Sequence, residues 1–457
     1  MQTSNKLRHM PIGKLIIVMS VPAMFSMLIQ SLYNIVDSIY VSKLGPTALN
    51  AVSLAFPMQM LIIAFALGIG IGTSSYISRK MGERKIEEAN QVAKTGIILA
   101  VIMGLIFIIV GLTLSRPFLS LMSSDQEAIE LGTQYLNVVM GLSIFVFIEI
   151  TATKILQGVG NMIVPMLCQL VGAITNIILD PIFIFNLELG VKGAAIATVI
   201  GQFMAMLLAV GTFVFRKQEI SISLRNFKFK KEYLFKILNV GLPVTIMNSV
   251  ASITTTILNS LLTNSYVDPE LGKAAVNVLG IYFKLQSFIF MPIFGINQGG
   301  IPILAYNYGA NIKKRFTKAL GLMICIAFVI MIIGFSLFQI MPLTLLSLFH
   351  PNENMIYIGK DALRIISLSF FPAAFSIIFG MSFQALGHGF KSLLMSLFRQ
   401  LIILIPSAYI ISKISLSNIW YAYVIAEIMA CIVFVPIAIH TINKAFRLKA
   451  IAEPNLI

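Results

Sequence analysis

Apolar runs of twenty or more residues, separated by short polar tracts, fill most of the chain from residue 15 onward. A membrane helix needs about 20 mostly apolar residues, at 1.5 Å each, to cross a hydrocarbon core of ~30 Å. Twelve runs qualify, at approximately 15–42, 47–77, 92–114, 133–156, 162–185, 193–215, 237–262, 275–303, 317–345, 363–386, 392–412 and 418–440. They are too long for outer-membrane strands and lack the two-residue alternation such strands require. The pattern predicts an all-α polytopic membrane protein with twelve transmembrane helices.

The pattern also repeats. A shift of 227 residues aligns Gln59 with Gln286, Gly72 with Gly299, Gly82 with Gly309, Gly132 with Gly359, Gln157 with Gln384 and Gly160 with Gly387. A shift of 225 aligns Pro181 with Pro406 and Val199–Ile200 with Val424–Ile425. Each half is expected to be a six-helix lobe, residues 1–220 and 221–457, joined by a basic loop over 216–236. Because six spans return the chain to the side it entered from, the repeat is parallel, an arrangement found in secondary transporters. Duplication alone also builds bundles that transport nothing.

Composition agrees with the membrane reading and narrows it. Apolar residues make up 58% and charged residues 11% of the chain, at a mean hydropathy of +0.92, which excludes a soluble domain and a disordered chain. The formal charge of +15 would suggest nucleic acid in a soluble protein, but the basic residues sit in short tracts between apolar runs and form no aromatic-interleaved face. Of the 33 Lys and Arg, 24 fall on one side of the expected topology and seven on the other, with Lys284 and Arg399 inside spans. Both termini are therefore expected in the cytoplasm. The three cysteines, Cys168, Cys325 and Cys431, lie in apolar runs and read as core residues.

Acids at bilayer depth are costly and require a partner or a function. Asp37 in the first span, Glu149 in the fourth, Asp180 in the fifth and Glu427 in the twelfth stand there. Helical spacing adds Gln30, Tyr33 and Asn34 to the face of Asp37, and Asn176 to that of Asp180. Thr198 follows in the sixth span. Two carboxylates, an amide and a hydroxyl form a hard, oxygen-rich site suited to a proton or an alkali cation, and unsuited to zinc or copper. An internal packing network is the competing reading. Glu149, one turn before Thr153, reads equally as cavity lining or as packing. Lys284 and Arg399 read as internally paired or as snorkelling, with internal pairing favoured for Lys284, and His388 reads as a turn residue. Pro22 and Pro57, with Gly68, Gly70 and Gly72, are places where a helix can bend, although bilayers also tolerate proline.

No Walker loop occurs and no soluble stretch is long enough for a nucleotide domain, so the chain itself carries no ATP site. Neither H-E-x-x-H nor G-x-S-x-G occurs, which argues against an intramembrane enzyme.

The segments PAMFSMLIQSLYNIVDSIYVSKLG from Pro22, NIILDPIFIFNLELGVKGAAIAT from Asn176 and GINQGGIPILAYNYGA from Gly295 resemble the multidrug and toxic compound extrusion (MATE) transporters, particularly their bacterial DinF-like branch. The resemblance spans nearly the whole chain. It implies a monomeric antiporter of the bacterial cell membrane, with two lobes flanking a cleft, that exports amphipathic or cationic compounds against inward H⁺ or Na⁺. It needs no cofactor, no ATP and no nucleic acid. It further implies that Asp37, Asn176, Asp180 and Thr198 hold the coupling ion, that Pro22 bends the first span, and that Gln30, Tyr33, Asn34, Glu149 and Thr153 face substrate. Thr153 departs from the Asn of some members. The seventh and tenth spans, as delimited, lack the acids another branch uses, which places coupling in the first lobe alone. A flippase for a lipid-linked precursor, which would need several buried cations, is the alternative, and an intramembrane acid–base enzyme the third reading.

Overall fold

The computed structural model describes residues 3–215, 218–265, 269–349, 351–414 and 418–452. Helices occupy nearly all of them: α1 (Thr3–His9), α2 (Ile12–Ser42), α3 (Pro46–Gly82), α4 (Ile86–Met122), α5 (Gln126–Gly141), α6 (Ile144–Gly158), α7 (Ile163–Pro181), α8 (Gly190–Phe215), α9 (Lys231–Ser265), α10 (Pro269–Gly309), α11 (Lys313–Ile340), α12 (Pro342–Ser347), α13 (Glu353–Ser367), α14 (Phe370–Ala385), α15 (Gly389–Leu397), α16 (Ile405–Ile414) and α17 (Tyr421–Ala452). Among the described residues ten helical spans are long and apolar enough to cross a bilayer, and twelve when each of two bent pairs counts as one.

Those bent pairs correct the sequence reading of the fourth and tenth spans as single runs. α5 and α6 meet at 49°, α13 and α14 at 50°. The first legs start upstream of the apolar runs because α5 and α13 are amphipathic, with Glu127, Glu130, Lys360, Asp361 and Arg364 among their residues. The tenth span thus does contain acids, Glu353 and Asp361, and the seventh, α9, contains Glu232; all three are exposed. Both legs open on a side-chain cap. Asp125 accepts from Glu127 N at 3.1 Å and Ala128 N at 3.3 Å, and Asn352 accepts from Met355 N at 2.8 Å. These caps, 227 residues apart, satisfy otherwise orphaned N–H groups at matched points of the repeat.

Outward faces are apolar. On α4, Ile102, Leu105, Ile109 and Leu112 form an exposed stripe, while Ala100, Gly104, Phe107 and Gly111 turn inward. In water such a stripe would be an unsatisfied patch; against lipid tails it is the required surface. α3 and α4 have 37 residues each, about 55 Å at 1.5 Å per residue, so each is longer than the bilayer core is thick.

Contacts divide the chain into two units. The first holds the residues up to Met10 with Val21–Thr245, the second Pro11–Ser20 with Ile246 onward. The division therefore runs inside α2 and α9, beside Pro22 and Pro243, whereas the sequence pattern suggested 220/221. The part of α9 up to Thr245 joins unit 1 because Gly68 and Gly72 bring α3 against the backbone of Ile237 and Gly241. These glycines are thus contact points in a continuous α3, where sequence reading treated them as places to bend. In unit 2, Gly299 closes in the same way on the backbone of Met19 and Ser20.

Of the expected basic connection over 216–236, Arg216 and Lys217 lie outside the described residues. The remainder is tied to α4 of unit 1. Gln91 Nε2 donates to Asn226 O at 3.0 Å, Lys228 N donates to Gln91 Oε1 at 3.0 Å, Lys94 Nζ donates to Arg225 O at 2.8 Å, and Ser221 N donates to Asn90 Oδ1 at 2.8 Å.

Candidate functional site

Unit 1 brings its polar residues together at α7 and α8. Gly172 and Gly201 stand backbone to backbone, so that a Cβ on Gly201 would meet Gly172 O at 2.7 Å. Such small-residue contacts let helices approach closely in a bilayer. One turn beyond Gly172 is Asn176, and three residues before Gly201 is Thr198. Asn176 Nδ2 donates to Asp180 Oδ1 at 3.1 Å and reaches Thr198 Oγ1 at 3.4 Å. Asp180 is 0% exposed, with Asn176 and Thr198 nearly as buried. Pro181, which has no N–H to donate, follows Asp180, and the helix then widens into a π turn over Ile182–Asn186, where Leu187 N donates to Ile182 O at 2.9 Å. Gly193 lets the start of α8 settle against the carbonyl of Phe183 in that turn.

Asp37, partly buried on α2, lies within hydrogen-bond reach of Asp180. Two carboxylates this close repel unless a proton or cation lies between them. One oxygen on each has no partner, and neither has Asn176 Oδ1 or Gln202 Oε1; all four are buried. Buried polar atoms are normally satisfied, so four unmet oxygens, all acceptors, mark a place that attracts a positive centre. Two of the four, on Asn176 and Gln202, belong to residues that line a cavity of about 60 Å³ together with Tyr33, Glu149 and Thr198, whereas Asp37 and Asp180 are not part of its lining.

The remaining sequence candidates separate. Glu149 reaches the cavity and feels the charge of Lys154. Lys154, near the end of the fourth apolar run and included among the 24 basic residues assigned to the cytoplasmic side, is instead 7% exposed within α6 and donates to Gln157 at 2.9 Å. Thr153 turns its hydroxyl back onto the carbonyls of Glu149 and Ile150, at 3.0 Å each, and does not line the cavity. Gln30 and Asn34 are exposed on α2 outside it. Pro22 lies in unbroken helix, its carbonyl accepting from Ser26 Oγ at 3.0 Å. Lys284, expected to be paired internally, is exposed, with its ammonium 5.6 Å from the centroid of Phe349; Arg399 pairs with Glu427 at 2.8 Å.

Sequence reasoning missed Gln202 and Tyr135. Gln202 lies four residues after Thr198, so the helical spacing that revealed Asn176 also marks it. Tyr135, 2% exposed on α5, hydrogen-bonds Gln59 and lies within electrostatic range of Asp37 and Asp180; no local pattern announces it.

A duplicated bundle with an oxygen-rich pocket in one half defines a class of polytopic membrane transporter. The family profile MatE matches residues 22–182 and 243–410, and the chain belongs to that family. It is 27% identical over 419 residues to the "Multidrug export protein MepA" of Staphylococcus aureus (strain NCTC 8325 / PS 47), covering 91% of each chain. A solved structure described as MATE in the bent conformation superposes at a TM-score of 0.93 with 32% identity, covering 98% of this chain and 99% of that one. A MOP superfamily transporter from Pyrococcus furiosus superposes at 0.90 with 32% identity, covering 97% and 99%.

Proposed function

We propose that the protein is a secondary antiporter of a bacterial cell membrane that exports small amphipathic or cationic compounds in exchange for inward H⁺ or Na⁺. The observation that carries this reading is the set of four buried, unpartnered oxygens on Asp37, Asn176, Asp180 and Gln202. Oxygen-only acceptors suit a hard cation or a shared proton. Membership of the MatE family and the likeness to a multidrug export protein support the substrate class.

In this mechanism Asp37 and Asp180 hold the coupling ion, Asn176 orients Asp180, and Thr198 supplies the hydroxyl opposite. Tyr33 and Glu149, on the cavity that Asn176 and Thr198 also line, sense whether the acids are charged. Ion entry neutralises the acid pair and lowers its attraction for a cationic compound, so that uptake of one expels the other. Alternating exposure of the two sides follows, with Pro22 giving α2 its point of flexure. The protein works as a monomer, with both termini in the cytoplasm, and the protein itself binds no ATP, nucleic acid or cofactor.

The test is ethidium efflux from membrane vesicles under a pH gradient or a Na⁺ gradient imposed separately. Efflux driven by one gradient, and lost in Asp37→Asn and Asp180→Asn, establishes the antiporter and names its ion. Full ion-driven efflux in either variant removes the acid pair from the mechanism. Absence of gradient-driven efflux of any cationic dye moves the reading to a lipid-linked substrate.

A further inference from the structure

Unit 2 repeats the face of α8 on α17. At the offset of 225, Thr198 corresponds to Tyr423 and Gln202 to Glu427. As in unit 1, this face carries unmet polar atoms: Tyr423 OH and Glu427 Oε2 are buried and have no partner. They line a cavity of about 250 Å³ together with Arg399 and Gln286, the repeat counterpart of Gln59. Phe283, Phe290 and Phe294 supply apolar wall. A second cavity, about 130 Å³, shares Arg399 and Phe294 with the first and adds Gln384 and Ser392. Arg399 thus lies on the border of both.

The charge at this face differs from that in unit 1. Arg399 Nη1 donates to Glu427 Oε1 at 2.8 Å, with side chains 28% and 15% exposed. Arg399 belongs to a π-helical stretch, Phe398–Leu404, which displaces its side chain from ordinary helical register. The pair is neutral as a whole. A lone cation meets a carboxylate already compensated by Arg399, and a lone anion meets a guanidinium already compensated by Glu427. A molecule bearing both signs can replace the internal pair with two external ones, its amine or iminium on Glu427 and its carboxylate on Arg399, so that no charge is left unmatched.

We propose that unit 2 holds a binding site of its own, at Arg399, Tyr423 and Glu427, for zwitterionic amphiphiles with an aromatic body. The phenylalanines take the body, the ion pair opens to take the two charges, and Tyr423 OH finds its missing partner on the carboxylate of the ligand. The site stands whether or not the bound compound is exported, because binding is measured at equilibrium without a gradient.

The probe is a matched pair of dyes, tetramethylrhodamine, a zwitterion at neutral pH, and its methyl ester, a monocation of nearly the same shape. Fluorescence polarisation on purified full-length protein in lipid nanodiscs reads both affinities. The expected result is binding of the zwitterion about tenfold tighter than the ester, with that preference erased in Arg399→Gln and in Glu427→Gln. Tyr423→Phe, which removes one hydroxyl, is expected to weaken the zwitterion about threefold, while Glu270→Gln, which breaks an exposed pair with Lys273 in the same unit, leaves both affinities unchanged. Equal affinity for the two dyes in the wild type, or a preference that persists in Arg399→Gln, overturns the proposal. If the two charge variants do not yield folded protein, unchanged zwitterion affinity in Tyr423→Phe overturns it alone.

Discussion

Thr198 and Gln202 on α8 occupy the same places in the repeat as Tyr423 and Glu427 on α17, yet the two faces present opposite problems to a ligand. In unit 1, Asp37 and Asp180 approach each other, and one oxygen on each, with Asn176 Oδ1 and Gln202 Oε1, lacks a donor. In unit 2 the acid comes with its own counter-ion, Arg399, 2.8 Å away. A site whose charge is unbalanced responds to an ion arriving; a site whose charge is balanced responds to shape and to ligands that can trade partners. Duplicated helices can therefore divide the work of an exporter, one half reading an ion and the other a molecule.

The comparison breaks most sharply at Asp180. Asp180→Asn should lower ion-driven dye efflux on the order of 100-fold, the scale of breaking a buried charged contact, whereas Glu427→Gln should leave the choice of coupling ion unaltered; vesicle efflux under single gradients measures both. Next in size is the framework beneath the acid site. Gly201→Val drives a side chain into Gly172 O, at a cost of about 1–3 kcal/mol in thermal unfolding in a fixed detergent, and should abolish ion dependence as well. In unit 2, Glu427→Gln should cost about 1–2 kcal/mol, reduced because water partly screens the pair. The double change Arg399→Met with Glu427→Met should recover most of that stability while losing zwitterion binding. Smaller still, Asp125→Ala and Asn352→Ala should each remove about 1 kcal/mol, and by similar amounts, since each deletes the cap of a repeat-related helix. A large difference between the two caps would show that the halves differ in framework as well as in charge.

Hydropathy made the spans legible because lipid-facing residues must be apolar along their whole length. It failed at α5 and α13, whose charged, amphipathic first legs extend upstream of the apolar runs and whose breaks, at Leu142–Ser143 and Leu368–Ser369, contain no proline. Asn176 and Asp180 were legible as a pair four residues apart on one helix. Arg399 and Glu427, 28 residues apart on different helices, were visible as costly charges but not as each other's partner. Tyr135 was out of reach for the same reason, since a buried tyrosine looks like any core aromatic until tertiary structure sets it beside two acids. Lys154 misled because a lysine near the end of an apolar run reads as a loop, whereas Gly70 makes room for its stem against α3.

The matched caps of α5 and α13 also bear on how such a chain could arise. Six spans per half mean that a gene encoding one half, copied in tandem and fused in frame, would insert both copies with the same orientation. No extra helix and no reversal of basic loops would be required, so the duplication could have been viable in a single step. Within this chain the caps and bends of α5 and α13 match across the two halves, while the polar positions of α8 and α17 differ.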